Sequence, residues 1–241
     1  MTPSRSATPR RPAVRPLVYG HRGARADEPE NTLRSFRRAH QVGAEGVELD
    51  VRVSRDGHLV VIHDATVDRT TDGTGEVAAL SLAELRELDA GQGERIPTLR
   101  EALDAFPGLV QVEIKAPEAV AALAESDRQT PLPERVVLTS FQAEVLDGAA
   151  RLLPQVERGL ITADPTAELP ARAAEVKATW VCPELSPELT TGLVERCHAQ
   201  GLRVDAWPAA DAGRLARCVA LGADAVTTDY PALIDGWLRA V

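Results

Sequence analysis

The sequence predicts an α/β protein built as a single (β/α)8 TIM barrel with a small insertion after the second barrel segment. Short apolar runs that are typical of β-strands alternate with amphipathic segments that are typical of helices, from residue 17 to the C-terminus. About eight strand–helix units can be counted, and this number favours a closed barrel over an open parallel sheet. Charged side chains also stand at the ends of several successive strands, where such a barrel gathers its functional groups.

The length and composition agree with one domain. The chain has 241 residues, of which 44% are hydrophobic, so a sizeable core can form. Residues 1–16 are rich in Arg, Pro, Ser and Thr and lack the apolar stretch of a signal peptide, so they are predicted to be a disordered tail. The barrel is expected to span residues 17–241, with the insertion at about 66–95.

Charge and cysteine content argue against several classes of protein. The net charge is −9 and no basic stripe crosses the body of the chain, which argues against a nucleic-acid partner. Because no run of eighteen apolar residues is present, no stable membrane insertion is expected, and the default location is cytoplasmic. The three cysteines, Cys182, Cys197 and Cys218, have no metal-type spacing and are expected to be buried thiols. The composition does not indicate an oligomeric state.

The first elements follow from short-range patterns. A strand is predicted at Leu17–Tyr19, and Asn31 is predicted to cap a helix over 32–42 whose apolar residues lie about one turn apart. Residues 47–53 alternate between apolar and charged side chains, which indicates a strand with one charged face. A hairpin-type turn follows, and the strand at 59–62 is predicted to pair beside the strand at 47–53.

The pattern weakens over the predicted insertion and then becomes regular. Capping boxes at Ser81 and Thr98 predict two short helices, the second reaching Phe106. Segment 117–133 is assigned no helix or strand. Strands are predicted at 109–114, 136–140, 159–162, 179–182, 202–207 and 223–227, and helices at 142–153, 166–176, 187–200, 212–220 and 232–240.

The strand ends carry a set of side chains suited to phosphate chemistry. Three carboxylates, Glu48, Asp50 and Glu113, would form an oxygen-rich cage, which hard cations such as Mg²⁺ or Ca²⁺ prefer. Nearby cationic side chains could hold phosphate oxygens, Arg22 in a bidentate manner and Lys115 as a point charge. The imidazoles of His21 and His63 could accept and donate a proton on opposite sides of phosphorus.

Each of these residues also has a purely structural interpretation. A Glu-x-Asp pair on a strand is usually a solvated face, although its apolar neighbours favour the barrel interior here. His63 alone could be a core histidine, and Lys115 could simply pair with Glu113; physical arguments leave this pairing as plausible as phosphate contact. His40, His58 and His198 are given structural roles.

The chain resembles the glycerophosphodiester phosphodiesterases from Val18 to Pro231. No single motif identifies the family, but the order and spacing of all the motifs together are specific for it. The shared motifs are Gly20-His21-Arg22-Gly23, Pro29-Glu30-Asn31-Thr32, Gly46-Val47-Glu48-Leu49-Asp50-Val51, Asp56-Gly57, His63-Asp64, Asp68-Arg69-Thr70-Thr71, Ile96-Pro97-Thr98-Leu99, Glu113-Ile114-Lys115, Ser140-Phe141 and Thr228-Asp229-Tyr230-Pro231.

The resemblance implies hydrolysis of a small-molecule glycerophosphodiester to an alcohol and sn-glycerol 3-phosphate. It implies an attack of the neighbouring glycerol hydroxyl on phosphorus, giving a cyclic phosphate that water opens. It further implies one divalent cation, Mg²⁺ or Ca²⁺. By position, it assigns Glu48, Asp50 and Glu113 to the metal, His21 and His63 to acid–base catalysis, Arg22 and Lys115 to phosphate, Glu30 and Asn31 to the vicinity of the site, and Trp207 to the glycerol side.

Two departures from the family and two alternative functions remain open. The chain has Trp207-Pro208-Ala209-Ala210 where members often carry Trp-Thr-Val-Asn, which leaves the polar contacts to substrate uncertain. Segment 117–133 is short for the family, which implies an open alcohol side of the pocket. One alternative function is a lysophospholipase-D-like phosphodiesterase on the same barrel. Residues 64–74 of this chain, which are expected at the rim of the barrel, are polar, and this argues against an enzyme that acts at a lipid surface. The other is a non-catalytic barrel that binds a phosphate ligand.

Overall fold

Eight parallel strands close into a barrel in the computed structural model, which describes residues 15–239. The strands are β1 (Leu17–His21), β2 (Gly46–Val53), β3 (Leu59–Val61), β4 (Leu109–Ile114), β5 (Val136–Ser140), β6 (Glu157–Thr162), β7 (Trp180–Pro183), β8 (Arg203–Ala206) and β9 (Ala225–Thr228). Their order is β1-β9-β8-β7-β6-β5-β4-β2, and the pairing of β1 with β2 closes the ring. The predicted fold class is therefore confirmed.

The extra strand β3 pairs antiparallel with the outer end of β2, as the sequence predicted, with Val51 opposite Val61. Strand β2 is the longest of the described strands, so its last residues extend past the barrel and carry this hairpin. The segment that follows β3 has its own small apolar core, formed by Val60, Ile62, Val67, Val77, Leu85, Ala90 and Ile96. We propose that this segment, at about residues 66–95, is an insertion into the barrel.

Helices cover the outside of the barrel. They are α1 (Leu33–Gln41), α2 (Leu82–Glu87), α3 (Leu99–Ala105), α4 (Glu118–Gln129), α5 (Ala143–Leu152), α6 (Leu169–Glu175), α7 (Thr191–Ala199), α8 (Ala212–Leu221) and α9 (Ile234–Leu238). Both predicted capping boxes are present, because Ser81 exchanges hydrogen bonds with Glu84, and Thr98 with Glu101. In the part of the chain that the structure describes, no helix is long and apolar enough to cross a bilayer.

One prediction about helices is wrong, and one helix was not predicted. Thr32, not Asn31, caps α1, since its side chain accepts the Ser35 backbone N–H, whereas Asn31 has a positive φ of 58° and turns its amide towards Asp50. Helix α4 occupies a segment that was assigned no element. Its buried residues, Ala119, Val120, Leu123 and Ala124, do follow a helical spacing, but alanine contributes little to an apolar stripe, and this weakens the pattern.

Most of the predicted tail lies outside the described residues. Arg15, near its end, forms ion pairs with Glu45 and Asp235. The three cysteines are free and buried, as expected.

The barrel interior contains an apolar layer and a polar layer. Tyr19, Val137, Ile161, Trp180, Cys182 and Ala225 form the apolar cluster. Gln111 Nε2 and Thr227 Oγ1 donate hydrogen bonds to Asp205 Oδ2, at 2.9 and 2.8 Å, and so connect three strands across the interior. Burial raises the pKa of Asp205 to about 6.

Candidate active site

Three acidic side chains converge where β2 and β4 end. Glu48 and Asp50 alternate on β2 and therefore share a face, while the register places Glu113 of β4 beside Asp50. One carboxylate oxygen from each of the three lies within 4.8 Å of the others. All three residues are buried, with 6%, 1% and 8% of their surface exposed.

Neighbouring cationic side chains neutralise only part of the negative charge of the acidic cluster. Lys115 Nζ lies 2.7 Å from Glu113 Oε1 and 3.4 Å from Asp50 Oδ1, and Arg22 Nε lies 3.3 Å from Asp50 Oδ2. Glu48 Oε1 is buried without a hydrogen-bond partner among the described residues. Burial and the charges of Asp50 and Glu113 raise the pKa of Glu48 well above its usual value. Burial and the charge of Asp50 also raise the pKa of Glu113.

This donor set fits a divalent cation. Buried carboxylates are costly unless they are paired or bind a metal, and the unpartnered oxygen of Glu48 is available for such a contact. The cluster offers only oxygen atoms, which favours a hard cation over zinc. Glu48, Asp50 and Glu113 could therefore hold an ion.

Asn31 and the turn after β1 position the acidic cluster. Asn31 Nδ2 donates a hydrogen bond of 2.8 Å to Asp50 Oδ2, and the Arg22 backbone N–H donates one of 3.1 Å to Glu48 Oε2. The turn itself is closed by a hydrogen bond from the Gly23 N–H to the Gly20 carbonyl. Arg22 and Gly23 both have positive φ, at 53° and 84°, which gives a physical reason for the second glycine of this motif.

His21 lies at the end of β1, beside the acidic cluster. Its Nδ1 lies 2.6 Å from Asp229 Oδ1, and its Nε2 lies 3.9 Å from Glu48 Oε2. Burial opposes ionisation of Asp229, but the hydrogen bond with His21 keeps the Asp229 pKa below its usual value. Arg25 also approaches this pair, with its Nε 3.6 Å from Asp229 Oδ1.

His63 follows β3 and is held in a similar way. Its Nδ1 lies 2.5 Å from Asp64 Oδ1, and its backbone carbonyl accepts a hydrogen bond of 2.9 Å from Arg52 Nε. Arg69 Nε donates to Asp64 Oδ2 at 2.6 Å, and this contact holds the Asp64 pKa well below its usual value. Burial lowers the pKa of His63, although the charge of Asp50 and the hydrogen bond with Asp64 act in the opposite direction.

Glu30 connects the arginines of the site. It accepts a hydrogen bond of 2.8 Å from Arg22 Nη1 and two from Arg69, of 2.8 and 3.0 Å. Burial would raise the pKa of Glu30, but the hydrogen bonds from Arg69 and Arg22 outweigh it and lower the pKa to about 2. One guanidinium nitrogen of Arg22, Nη1, is therefore already hydrogen-bonded to Glu30.

Trp207 lies directly after β8. Its Nε1 donates a hydrogen bond of 2.8 Å to the Cys182 carbonyl, and its ring meets that of Phe141 edge to face with centroids 6.0 Å apart. These contacts hold the indole in place. Two residues further along the chain, Ala209 is fully buried.

The structure thus brings together His21, His63, the three acidic residues, Arg22, Lys115, Glu30 and Asn31. Five residues that were not predicted as site residues complete the network: Asp229, Asp64, Arg69, Arg25 and Arg52. A signal for Asp229 was present, because it directly follows β9. The other histidines have partners elsewhere: His40 packs against Phe106, and His198 pairs with Asp224.

Comparison with known proteins gives a consistent result. The model of the glycerophosphoryl diester phosphodiesterase family matches residues 21–233. A glycerophosphodiester phosphodiesterase of Caldanaerobacter subterraneus subsp. tengcongensis is 35% identical over 244 residues, covering 94% of this chain and 99% of the relative. A probable glycerophosphodiester phosphodiesterase 1 of Mycobacterium tuberculosis is 34% identical over 263 residues, covering 94% of each chain.

Solved structures are similar over the same extent. An Oleispira antarctica phosphodiesterase in complex with the product sn-glycerol-3-phosphate superposes with a TM-score of 0.86 at 33% identity, covering 93% of this chain and 97% of that one. A glycerophosphodiester phosphodiesterase from Agrobacterium tumefaciens superposes with a TM-score of 0.79 at 30% identity, covering 92% and 99%.

Proposed function

The chain belongs to the glycerophosphoryl diester phosphodiesterase family, a family of phosphoric diester hydrolases, and from this premise we propose a metal-dependent reaction with histidine acid–base catalysis. The products are an alcohol and sn-glycerol 3-phosphate. The observation that carries the proposal is the buried cluster of Glu48, Asp50 and Glu113, with a carboxylate-bound histidine at the ends of β1 and β3.

The acidic cluster is the proposed site of one divalent cation, Mg²⁺ or Ca²⁺. When bound there, the cation supplies positive charge that polarises a phosphoryl oxygen. The support is the oxygen-only donor set and the unpartnered, buried Glu48 Oε1. Asn31 orients Asp50 for this role through its 2.8 Å hydrogen bond.

Two cationic side chains are proposed to bind the phosphate. Lys115 Nζ and the Arg22 guanidinium both lie next to Asp50, so both stand beside the proposed cation position. Arg22 Nη1 already donates to Glu30, which aligns the guanidinium and leaves Nη2 without a hydrogen bond among residues 15–239. A phosphate oxygen is the partner we propose for it.

The two histidines are proposed to move the protons. Each Nδ1 is held by a carboxylate, so Nε2 is the nitrogen that remains to exchange a proton. His21 removes the proton from the neighbouring glycerol hydroxyl, whose oxygen then forms a bond to phosphorus. The bond from phosphorus to the leaving alcohol breaks, and His63 delivers a proton to that oxygen. Water then opens the cyclic phosphate to give sn-glycerol 3-phosphate.

The test is a panel of phosphodiesters assayed in EDTA, in Mg²⁺ and in Ca²⁺. The panel includes glycerophosphocholine and an analogue that lacks the attacking glycerol hydroxyl. We expect activity only with a cation and only with the hydroxyl present. Full-rate turnover of the deoxy analogue would rule out the cyclic intermediate.

Variants test the histidines in the same assay. His21→Ala and His63→Ala should each lower kcat by about 10²- to 10⁴-fold. His58→Ala is the matched control, because His58 lies in an exposed turn before β3 and should retain the wild-type rate. Wild-type rates in both site variants would remove the acid–base assignment.

The exposed rim supports a second candidate, a lysophospholipase-D-like activity on the same barrel. Phe141 and Tyr230 follow β5 and β9 and are 44% and 38% exposed, so apolar surface is present near the site although stretch 64–74 is polar. Lysophosphatidylcholine compared with glycerophosphocholine separates the two functions. Phe141→Ala should then lower turnover of the lysophospholipid selectively.

A further inference from the structure

A chain of ion pairs runs from His63 to the acidic cluster. His63 pairs with Asp64, Asp64 with Arg69, Arg69 with Glu30, and Glu30 with Arg22, which reaches Asp50. We name this set, from His63 to Arg22, the ion-pair chain. Its central member, Arg69, comes from the segment after β3 and not from a barrel strand.

Arg69 uses its guanidinium to hold two carboxylates at once. Nε and Nη2 donate to Asp64, at 2.6 and 3.2 Å, and Nη1 and Nη2 donate to Glu30, at 3.0 and 2.8 Å. The planar fork of arginine suits such bidentate contacts and fixes the angle between the groups it joins. The Arg69 side chain is 47% exposed, so burial of apolar surface does not explain its position.

The two ends of the ion-pair chain depend on Arg69 to different degrees. Asp64 has no hydrogen-bond or ion-pair partner other than His63 and Arg69 within residues 15–239. Arg22, in contrast, has a second carboxylate beside it, Asp50, at 3.3 Å. Loss of Arg69 would therefore release Asp64 and the His63 ring, whereas Arg22 would keep a partner.

We propose that Arg69 is a positioning residue that acts through Asp64 to hold the His63 imidazole towards the leaving alcohol. The inference rests on the proposed function and adds a residue to it. Asp64 adjoins His63 in the sequence, but its own side chain is partly exposed and needs a second anchor, which Arg69 provides on the other carboxylate oxygen.

The consequence depends on the leaving group. A general acid matters most when the departing oxygen is strongly basic, and much less when the departing anion is stable without a proton. Removal of Arg69 should therefore slow hydrolysis of glycerophosphocholine, whose leaving group is an aliphatic alcohol. It should have little effect on hydrolysis of the p-nitrophenyl diester of glycerol 3-phosphate, whose leaving group is a stable phenolate.

The first experiment compares these two substrates in the full-length protein with saturating Mg²⁺ or Ca²⁺. Arg69→Ala should lower kcat for glycerophosphocholine by about 10- to 100-fold and change kcat for the p-nitrophenyl ester by less than about threefold, with KM unchanged for both. Arg55→Ala is the control, because Arg55 also pairs with an exposed glutamate, Glu84, and should behave as the wild type. An equal loss on both substrates, or no loss, overturns the inference.

The second experiment repeats Arg69→Ala in a His63→Ala background. If Arg69 acts through His63, the second substitution should cost nothing further in kcat or KM. A further loss of similar size, or a rise in KM, would mean that Arg69 acts through Glu30 and Arg22, and the inference would be overturned. A wild-type protein that hydrolyses neither substrate would instead overturn the proposed function, so the two failures can be told apart.

Discussion

Each of the two site histidines has one ring nitrogen held by a carboxylate. Asp229 holds His21 and Asp64 holds His63, at 2.6 and 2.5 Å. Such a contact fixes the tautomer and the orientation of the imidazole and stabilises the protonated form when it arises. The two imidazoles were predicted from the sequence, but their carboxylates were not. Asp229 lies 208 residues from His21 and reaches its ring only because β1 and β9 pair, whereas Asp64 adjoins His63.

The first prediction concerns Asp229. Asp229→Asn preserves the size of the side chain but removes its charge and permits the wrong tautomer of His21, so kcat should fall by about 10²- to 10⁴-fold. Steady-state kinetics on glycerophosphocholine measure this. Asp235→Asn, on α9 and paired with Arg15, is the control. A wild-type kcat for Asp229→Asn would mean that His21 needs no orienting partner.

The second prediction concerns Asn31, which combines a positive φ with the hydrogen bond to Asp50. Asn31→Gly tolerates this backbone conformation but removes the amide, so cation affinity should fall by about 10- to 100-fold with little change in unfolding free energy. Asn31→Ala should lose the same affinity and also about 1 kcal/mol of stability from the positive φ. Isothermal titration with Ca²⁺ and urea unfolding measure the two effects. Unchanged Ca²⁺ affinity in both variants would contradict the role given to Asn31.

At the scale of elements, strand β2 and the turn after β1 position most of the site. Alternation along β2 placed Glu48 and Asp50 on one face, and this could be predicted because the side-chain period of a strand is two. Helix α4 could not be recognised as easily, because its buried face is largely alanine. The N-cap of α1 was misplaced by one residue, since Asn31 and Thr32 are both good capping residues and only tertiary contact with Asp50 decides between them.

The third prediction separates the cost of a positive φ from the cost of steric crowding, by comparing two glycines in different turns. Gly23 has φ of 84°, and a Cβ there would lie 2.2 Å from Ser35 Oγ and 2.8 Å from the Ser35 carbonyl carbon. Gly57 has nearly the same φ, 85°, but a Cβ there would have nothing within 4 Å. Gly57→Ala should therefore cost about 1 kcal/mol of unfolding free energy, and Gly23→Ala should cost about 1–3 kcal/mol more.

Urea unfolding of the two variants, together with their kcat values, provides the measurement. Only Gly23→Ala should also lower activity, because Arg22 and its backbone contact to Glu48 lie in the same turn. Equal losses of stability in the two variants would show that Ser35 makes room for the extra atom.

At the scale of the whole molecule, the closed barrel was predictable and its internal polar layer was not. The number and order of apolar runs determine the ring, because parallel strands need crossover helices and eight units can close. Which interior side chains meet depends on the register across the barrel. Asp205, Gln111 and Thr227 lie on three different strands, and no local pattern of the sequence relates them.

The fourth prediction follows from this polar layer. Asp205 is buried, and its pKa is raised to about 6 from a usual value near 3.8. An acid whose pKa is raised in the folded state binds more protons there than in the unfolded state, so its contribution to stability is fully present below about pH 4 and is lost as the pH rises through about 6. Asp205→Asn should remove this loss.

Urea unfolding of wild type and Asp205→Asn between pH 4 and pH 8 tests this prediction. The difference in unfolding free energy should shift in favour of the variant by up to about 3 kcal/mol over that range. Asp235→Asn, at an exposed position, should show no such trend. A pH-independent difference for Asp205→Asn would contradict the raised pKa.

Because β2 pairs directly with β4, the site has two parts that are built independently: the carboxylates on these two strands, and the residues on the connector that joins the strands. Asp50 and Glu113 are neighbours in the sheet, so their spacing is set by main-chain hydrogen bonds and is insensitive to the stretch of polypeptide that joins the two strands. That stretch nevertheless carries His63, Asp64 and Arg69. On the proposed mechanism, a chimera that received a foreign connector between β3 and α3 would therefore keep the carboxylates proposed to bind the cation and lose the histidine proposed to protonate the alcohol, which makes this connector a natural place to convert the hydrolase into a binder.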